Sequence, residues 1–271
     1  MAVEKQKLHV VTDLDSTIFE LVALHALSYL RLLEIKFGKE MRKTLVDIRH
    51  AEHSSKVGRL RRVFDYVDKT KSAAKLINDE SLVFNTTVFE PARNLIRNSP
   101  YHAQLRALPG AVAGVNMLAE LSESIEFSTV RPDTKEMQRH TETSLRRIKL
   151  LSEVGEKTEK DRAVVIVKDP TAKMEKGLQK LQNDTESRLV IVDDGVDGLL
   201  TVAINLQKDP RYAELFTNHR VTLVAFGWTQ GELAQENAKK LAQTNAYLEV
   251  IPMNTWAEVG TVAQALSRTA K

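Results

Sequence analysis

The sequence contains no cysteine. That absence rules out a disulfide framework, a thiolate metal site and a cysteine nucleophile, so covalent chemistry has to come from Asp, Glu, Ser, Thr, Lys or His. Charge of one sign is lacking too: 39 Lys and Arg against 36 Asp and Glu leave a formal net charge of +3 over 271 residues. Such a balance does not by itself point to nucleic acid or a membrane surface. No long hydrophobic run is free of charge. The most lipid-like stretch, 18–37, carries Glu20, His25, Arg31 and Glu34, which a membrane interior tolerates only at high cost, and it reads as a packed helix. The segment MAVEKQKLHVV has neither the apolar core nor the small-residue cleavage site of a signal peptide, and a cytoplasmic protein without a membrane partner is expected. Internal repeats and low-complexity segments are absent as well.

What is present is the composition of a folded protein. With 42% hydrophobic and 28% charged residues, the chain can bury one substantial core and a smaller satellite. Short Val- and Ile-rich runs recur at 8–13, 124–130, 163–169, 188–194 and 220–227, with 247–253 as a possible sixth. Between most of them the apolar spacing is helical, over 134–151, 172–181, 199–206, 230–244 and 256–267. Continuous apolar strands alternating with helices predict an α/β fold, a doubly wound parallel sheet covered on both faces. The interval from Ile18 to about Arg106 is the exception, with helical patterns and no convincing strand, and reads as an all-helical insertion after the first strand. Pro109 and Gly110 break the chain before the next core helix. The expected division is an α/β core of 1–17 and 107–271 and a helical cap of 18–106.

In such a sheet ligands bind beyond the carboxyl ends of the strands. There the sequence places Asp13-Leu14-Asp15-Ser16-Thr17, Ser128-Thr129-Val130-Arg131-Pro132 and Asp193-Asp194-Gly195-Val196-Asp197. Carboxylates gathered on one rim repel each other unless a cation neutralises them, and a hard divalent ion with oxygen ligands, Mg²⁺ first, suits them. With a metal and no thiol, one carboxylate can attack a phosphoryl group while a second moves protons. Asp13 and Asp15, two residues apart in an extended chain, lean to the same side: Asp13 would attack, and Asp15 would protonate the leaving oxygen and later activate water. Taken singly, these motifs also fit turns, N-caps and helix starts.

In order, DLDST, STVRP, a Lys at a helix start and VDD resemble the four motifs of the haloacid dehalogenase-like superfamily, over Leu8 to about Leu200. The resemblance implies that Asp13 is nucleophile and metal ligand. It makes Asp15 the general acid/base, binding metal through its backbone carbonyl, and an Asp there looks like the phosphatases rather than the dehalogenases. Thr129 maps on the residue that contacts the phosphoryl group, with Ser128 a weaker candidate. Asp193 and Asp194 map on the acidic metal-binding motif, with Asp197 in reserve. The phosphate-binding lysine maps on Lys173, with Lys168 and Lys176 close by. A cap inserted after the first strand looks like the first type of cap in that superfamily, closing over the strand ends and reading the leaving group.

The expected activity is Mg²⁺-dependent hydrolysis of a small phosphorylated metabolite or nucleotide through an aspartyl-phosphate. The alternative rests on the stretch 41–69, with Arg42, Lys43, Arg49, Lys56, Arg59, Arg61 and Arg62. A basic cap could engage a polyanion such as nucleic acid, with or without catalysis. His50 and His53 have a spacing that could bind metal, yet they have no third ligand in view and read as a polar surface pair.

Overall fold

A computed structural model describes residues 7–15, 17–19, 100–152, 161–182, 184, 186–218, 220–227 and 247–268. The chain divides into two compact units, Met1–Glu20 with His102–Lys271, and Leu21–Tyr101. Most of the expected cap, its basic stretch, His50 and His53, and the helix expected over 230–244 lie outside the described residues. Ile18 and Phe19 belong with the core unit: the Leu108 amide donates to the Ile18 carbonyl at 2.7 Å, and Phe19 makes backbone bridges to Asp15 and Ala107.

Six strands form the sheet: β1 (Leu8–Asp13), β2 (Ser124–Thr129), β3 (Asp161–Ile166), β4 (Arg188–Asp193), β5 (Val221–Phe226) and β6 (Glu249–Met253). All pairings are parallel and the spatial order is β3-β2-β1-β4-β5-β6. From β1 the chain winds outward to β2 and β3, then returns to the other side of β1 for β4, β5 and β6. The reversal between β1 and β4 is the switch point where a doubly wound sheet opens a crevice at its carboxyl edge. Asp13 and Asp193, the last residues of those two strands, stand on its sides.

Burial on both faces explains the continuous apolar runs. Every residue of β4 and β5 is buried. One face carries Leu189 and Ile191 of β4 with Leu223 and Ala225 of β5. It packs on Met174, Leu178 and Leu181 of the helix Pro170–Gln182, and on Leu199, Leu200 and Ala203 of the helix Val196–Leu206. The other face meets the helices Ala111–Leu121 and Val259–Arg268, with Trp256 between them and Phe226. The two rings lie 5.6 Å apart between centroids, tilted by 40°. In order of appearance the helices are α1 (Ala111–Leu121), α2 (Lys135–Arg147), α3 (Pro170–Gln182), α4 (Val196–Leu206), α5 (Ala213–Thr217) and α6 (Val259–Arg268).

Within the described residues the expected core elements recur with small shifts. β3 begins at Asp161 and ends at Ile166 rather than spanning 163–169, because Asp169 instead starts α3, its side chain accepting from the Ala172 amide at 2.8 Å. Thr134 caps α2 by accepting from the Met137 amide at 3.1 Å, as short hydroxyl side chains do at helix starts. The break at Pro109-Gly110 is real: Gly110 takes φ +78°, a left-handed conformation that favours glycine. No helix among the described residues is long and apolar enough to cross a membrane.

Trp256 ties the C-terminal segment to the loop after β1, donating Nε1–H to the Thr17 carbonyl at 2.7 Å. Its ring also lies against Gly114, where an added Cβ would sit 2.4 Å from Cε3. Because an indole wedged in a core cannot yield cheaply, Gly114→Ala is expected to lower stability by about 1–3 kcal/mol, read as a lower urea midpoint at unchanged m-value.

Candidate active site

The loop after β1 is wound tightly around one carbonyl. Leu14 O accepts from the amides of Ile18 at 3.0 Å and Phe19 at 2.8 Å, while Leu14, Ile18 and Phe19 are wholly buried. This anchors the backbone between Asp13, 7% exposed, and Asp15.

α3 delivers Lys173 from its first turn. Met174, Gly177, Leu178 and Leu181 are buried with Lys173, so the lysine lies on the helix face that packs inward. A Cβ at Gly177 would meet both Leu189 methyls at 2.8 Å, which shows how closely α3 approaches β4. From there the Lys173 ammonium donates to Asp13 Oδ1 at 2.5 Å and to Asp193 Oδ2 at 2.6 Å. The second Asp193 oxygen accepts from the Gly195 amide at 2.7 Å. Lys168 and Lys176 are exposed, and Lys180 pairs with Glu126 at 2.8 Å; of the candidate lysines, Lys173 is the one that reaches the strand ends.

Carboxylate oxygens of Asp13, Asp193 and Asp194 lie within 4.8 Å of one another. Lys173 bridges two of these three carboxylates, Asp13 and Asp193. Burial pushes the Asp13 carboxyl well above its ordinary range; Lys173 opposes this, and Asp193, Asp194 and Asp15 add to it. Burial works against the Lys173 charge as well, but Asp13 and Asp193 outweigh it and hold the ammonium above its usual value. Three carboxylates this close together offer the hard oxygen donors that suit a divalent cation such as Mg²⁺.

Asp15 has different partners. Arg131 donates from Nε to Asp15 Oδ2 at 2.9 Å and from Nη2 to Oδ1, a two-pronged contact. Thr129 donates its hydroxyl to the same Oδ2 at 2.9 Å. Burial alone would raise this carboxyl, but the Arg131 charge and hydrogen bonds, with His102 and Thr129, draw it down to about 2. Asp15 is thus an ionised carboxylate at neutral pH.

These side chains line a cleft of about 210 Å³: Asp13, Asp15, Thr129, Lys173, Asp193 and Asp194, with the Gly195 backbone and an apolar edge of Val130, Pro170 and Leu199. Ser128 pairs with Asp13 in the strand register but does not line the cleft. The side chain of Asp197 lies outside the described residues. Arg131, the Gly195 amide and the apolar edge join the site without a role expected from the sequence motifs. An arginine just past a buried strand was the available signal for the first, since a guanidinium there requires a partner.

No protein-family model and no curated protein matches this sequence. Solved structures do. A haloacid dehalogenase-like family hydrolase from Streptococcus pneumoniae superposes with a TM-score of 0.51 at 13% identity, over 94% of this chain and 98% of its own. A haloacid dehalogenase-like family hydrolase from Xanthomonas campestris gives 0.47 at 12% identity, over 98% and 99%. A magnesium-bound haloacid-dehalogenase-type structure from Bacillus subtilis gives 0.49 at 11%, over 95% and 99%. The likeness to the Streptococcus pneumoniae protein defines the fold: this chain has the Rossmann-like α/β fold of the haloacid dehalogenase-like hydrolases.

The Arg131–Asp15 pair predicts an acid-labile contribution to stability. Its folded-state value of about 2 lies below the roughly 3.9 of an unfolded aspartate. The ionised carboxylate therefore stabilises the fold above about pH 4, and this is lost as pH falls through about 2, amounting to about 2 kcal/mol. Urea unfolding across that window is expected to show the loss in the wild type and a flatter profile in Asp15→Asn.

Proposed function

We propose that this protein is a metal-dependent phosphohydrolase in which Asp13 is transiently phosphorylated. The observation that carries the reading is the cluster of Asp13, Asp193 and Asp194 oxygens within 4.8 Å, with Lys173 bridging Asp13 and Asp193. The carboxylates of Asp13, Asp193 and Asp194 would hold Mg²⁺, to which the family resemblance adds the Asp15 backbone carbonyl. The ion supplies charge that offsets the phosphoryl oxygens and the crowded carboxylates.

In the first step a carboxylate oxygen of Asp13 forms a bond to phosphorus as the bond to the leaving oxygen breaks. Lys173, already on Asp13 Oδ1, favours the ionised form of that carboxyl against the pull of burial and offers its remaining donor to a phosphoryl oxygen. Thr129, at the cleft wall, can turn its hydroxyl to another. In the second step water attacks phosphorus, Asp15 takes its proton, and the bond to Asp13 breaks, freeing inorganic phosphate. Asp15 serves this step in the form the fold holds; in the first step the leaving oxygen takes its proton from Asp15 where Asp15 has kept the one gained in the preceding turnover, and otherwise from solvent water. A cleft of about 210 Å³ accommodates a phosphoryl group and the atoms next to it, in keeping with a small phosphorylated substrate.

Two measurements test this together. Asp13→Asn is expected to abolish Mg²⁺-dependent hydrolysis across a panel of phosphomonoesters that the wild type turns over. Mg²⁺ is expected to raise the thermal midpoint of the wild type, by about 2.7 kcal/mol of stability at a hundredfold excess over Kd, and to do so much less in Asp193→Asn. Undiminished hydrolysis by Asp13→Asn, or an equal Mg²⁺ shift in Asp193→Asn, contradicts the reading.

A further inference from the structure

Arg131 takes no part in the steps above, yet all three of its guanidinium nitrogens have partners beside the cleft. Its side chain is 2% exposed, against 20% for that of Asp15, and it stands behind Asp15 rather than in the cleft wall. Two of its nitrogens hold both oxygens of Asp15. The third, Nη1, donates to Thr141 Oγ1 at 2.8 Å, and Thr141 donates in turn to the Met137 carbonyl at 2.8 Å. The fork is therefore braced on α2, and Asp15 is braced on the fork.

Thr129 makes this brace consequential. Its hydroxyl has a single proton, now given to Asp15 Oδ2 at 2.9 Å. If that proton turns to a phosphoryl oxygen, Asp15 loses the Thr129 bond and Arg131 is left to fix the carboxylate. We propose that Arg131 is a positioning residue, braced by Thr141, that keeps the Asp15 carboxylate aimed into the cleft while Thr129 serves the phosphoryl group. This rests on the aspartyl-phosphate reading and deepens it. Arg131 acts on the second step, in which the water proton passes to Asp15, the new P–O bond forms and the bond from phosphorus to Asp13 breaks. A tie that merely fastened β2 to α2 would instead affect both steps alike.

The test uses p-nitrophenyl phosphate with Mg²⁺, followed by stopped flow, on the wild type and on Arg131→Met, Arg131→Lys and Thr141→Val. A misplaced proton acceptor slows its own step by roughly 10²-fold. Arg131→Met is expected to lose that much in kcat while still releasing about one nitrophenolate per enzyme in a fast burst, because attack by Asp13 does not use Asp15 as a base. Arg131→Lys recovers part of the turnover, and Thr141→Val falls between the wild type and Arg131→Met with its burst intact.

Thermal unfolding of each variant accompanies the kinetics. If Arg131→Met does not fold, Thr141→Val decides, since it leaves the Arg131–Asp15 pair in place. Burst and turnover lost in equal proportion, or turnover unchanged in both Arg131→Met and Thr141→Val, overturns the inference while leaving the aspartyl-phosphate reading standing. Absence of Asp13-dependent turnover in the wild type, on this ester and on the wider panel, overturns that reading and the inference with it.

Discussion

The bridge from Lys173 to Asp13 and Asp193, at 2.5 and 2.6 Å, is the interaction around which the core is organised. It joins the ends of β1 and β4, the adjacent strands at which the winding of the sheet reverses, to the first turn of α3. For one ammonium to reach both carboxylates, α3 has to lie close on β4, and Gly177 against Leu189 permits that approach. Asp194 places a third carboxylate beside the bridge. Gathering carboxylates in a buried place is costly, and a divalent cation bound among them would offset that cost.

A second carboxylate only two residues from Asp13 is treated in the opposite way. Asp15 receives a guanidinium of its own and a hydroxyl, so its charge is satisfied without a metal. The same short loop thus presents one carboxylate pushed up by its surroundings and one drawn down. Pairs of titratable groups separated in this manner mark acid–base and nucleophilic sites. Asp13 is pushed up by burial and by the carboxylates around it, which Lys173 from the helix after β3 opposes, whereas Arg131 from the end of β2 draws Asp15 down.

Much of this arrangement was legible in the sequence, for physical reasons. A parallel sheet buried on both faces writes itself as continuous apolar runs, and the runs at 188–194 and 220–227 correspond to β4 and β5, where every residue is buried. The carboxylates stood out because they terminate such runs. Among the lysines, motif spacing alone left Lys168, Lys173 and Lys176 open. The buried Met174, Leu178 and Leu181 show that helical periodicity already separated Lys173 from Lys176. The role of Arg131 was not legible, since its partner Asp15 lies 116 residues earlier and only the pairing of β1 with β2 brings them together. Strand ends shifted where a polar residue serves a helix, as Asp169 does for α3. The fold agrees with the superfamily that the motifs resemble; the chemistry rests on the side chains at the cleft.

The central claim is that Asp13 carries the phosphoryl group. The most direct measurement is mass spectrometry of the protein quenched in acid during turnover of a phosphomonoester with Mg²⁺. A single added phosphoryl group is expected on the peptide containing Asp13, removed by hydroxylamine as an acyl phosphate must be and absent from Asp13→Asn. Turnover with the phosphoryl group on another residue, or with a hydroxylamine-stable modification, would contradict it.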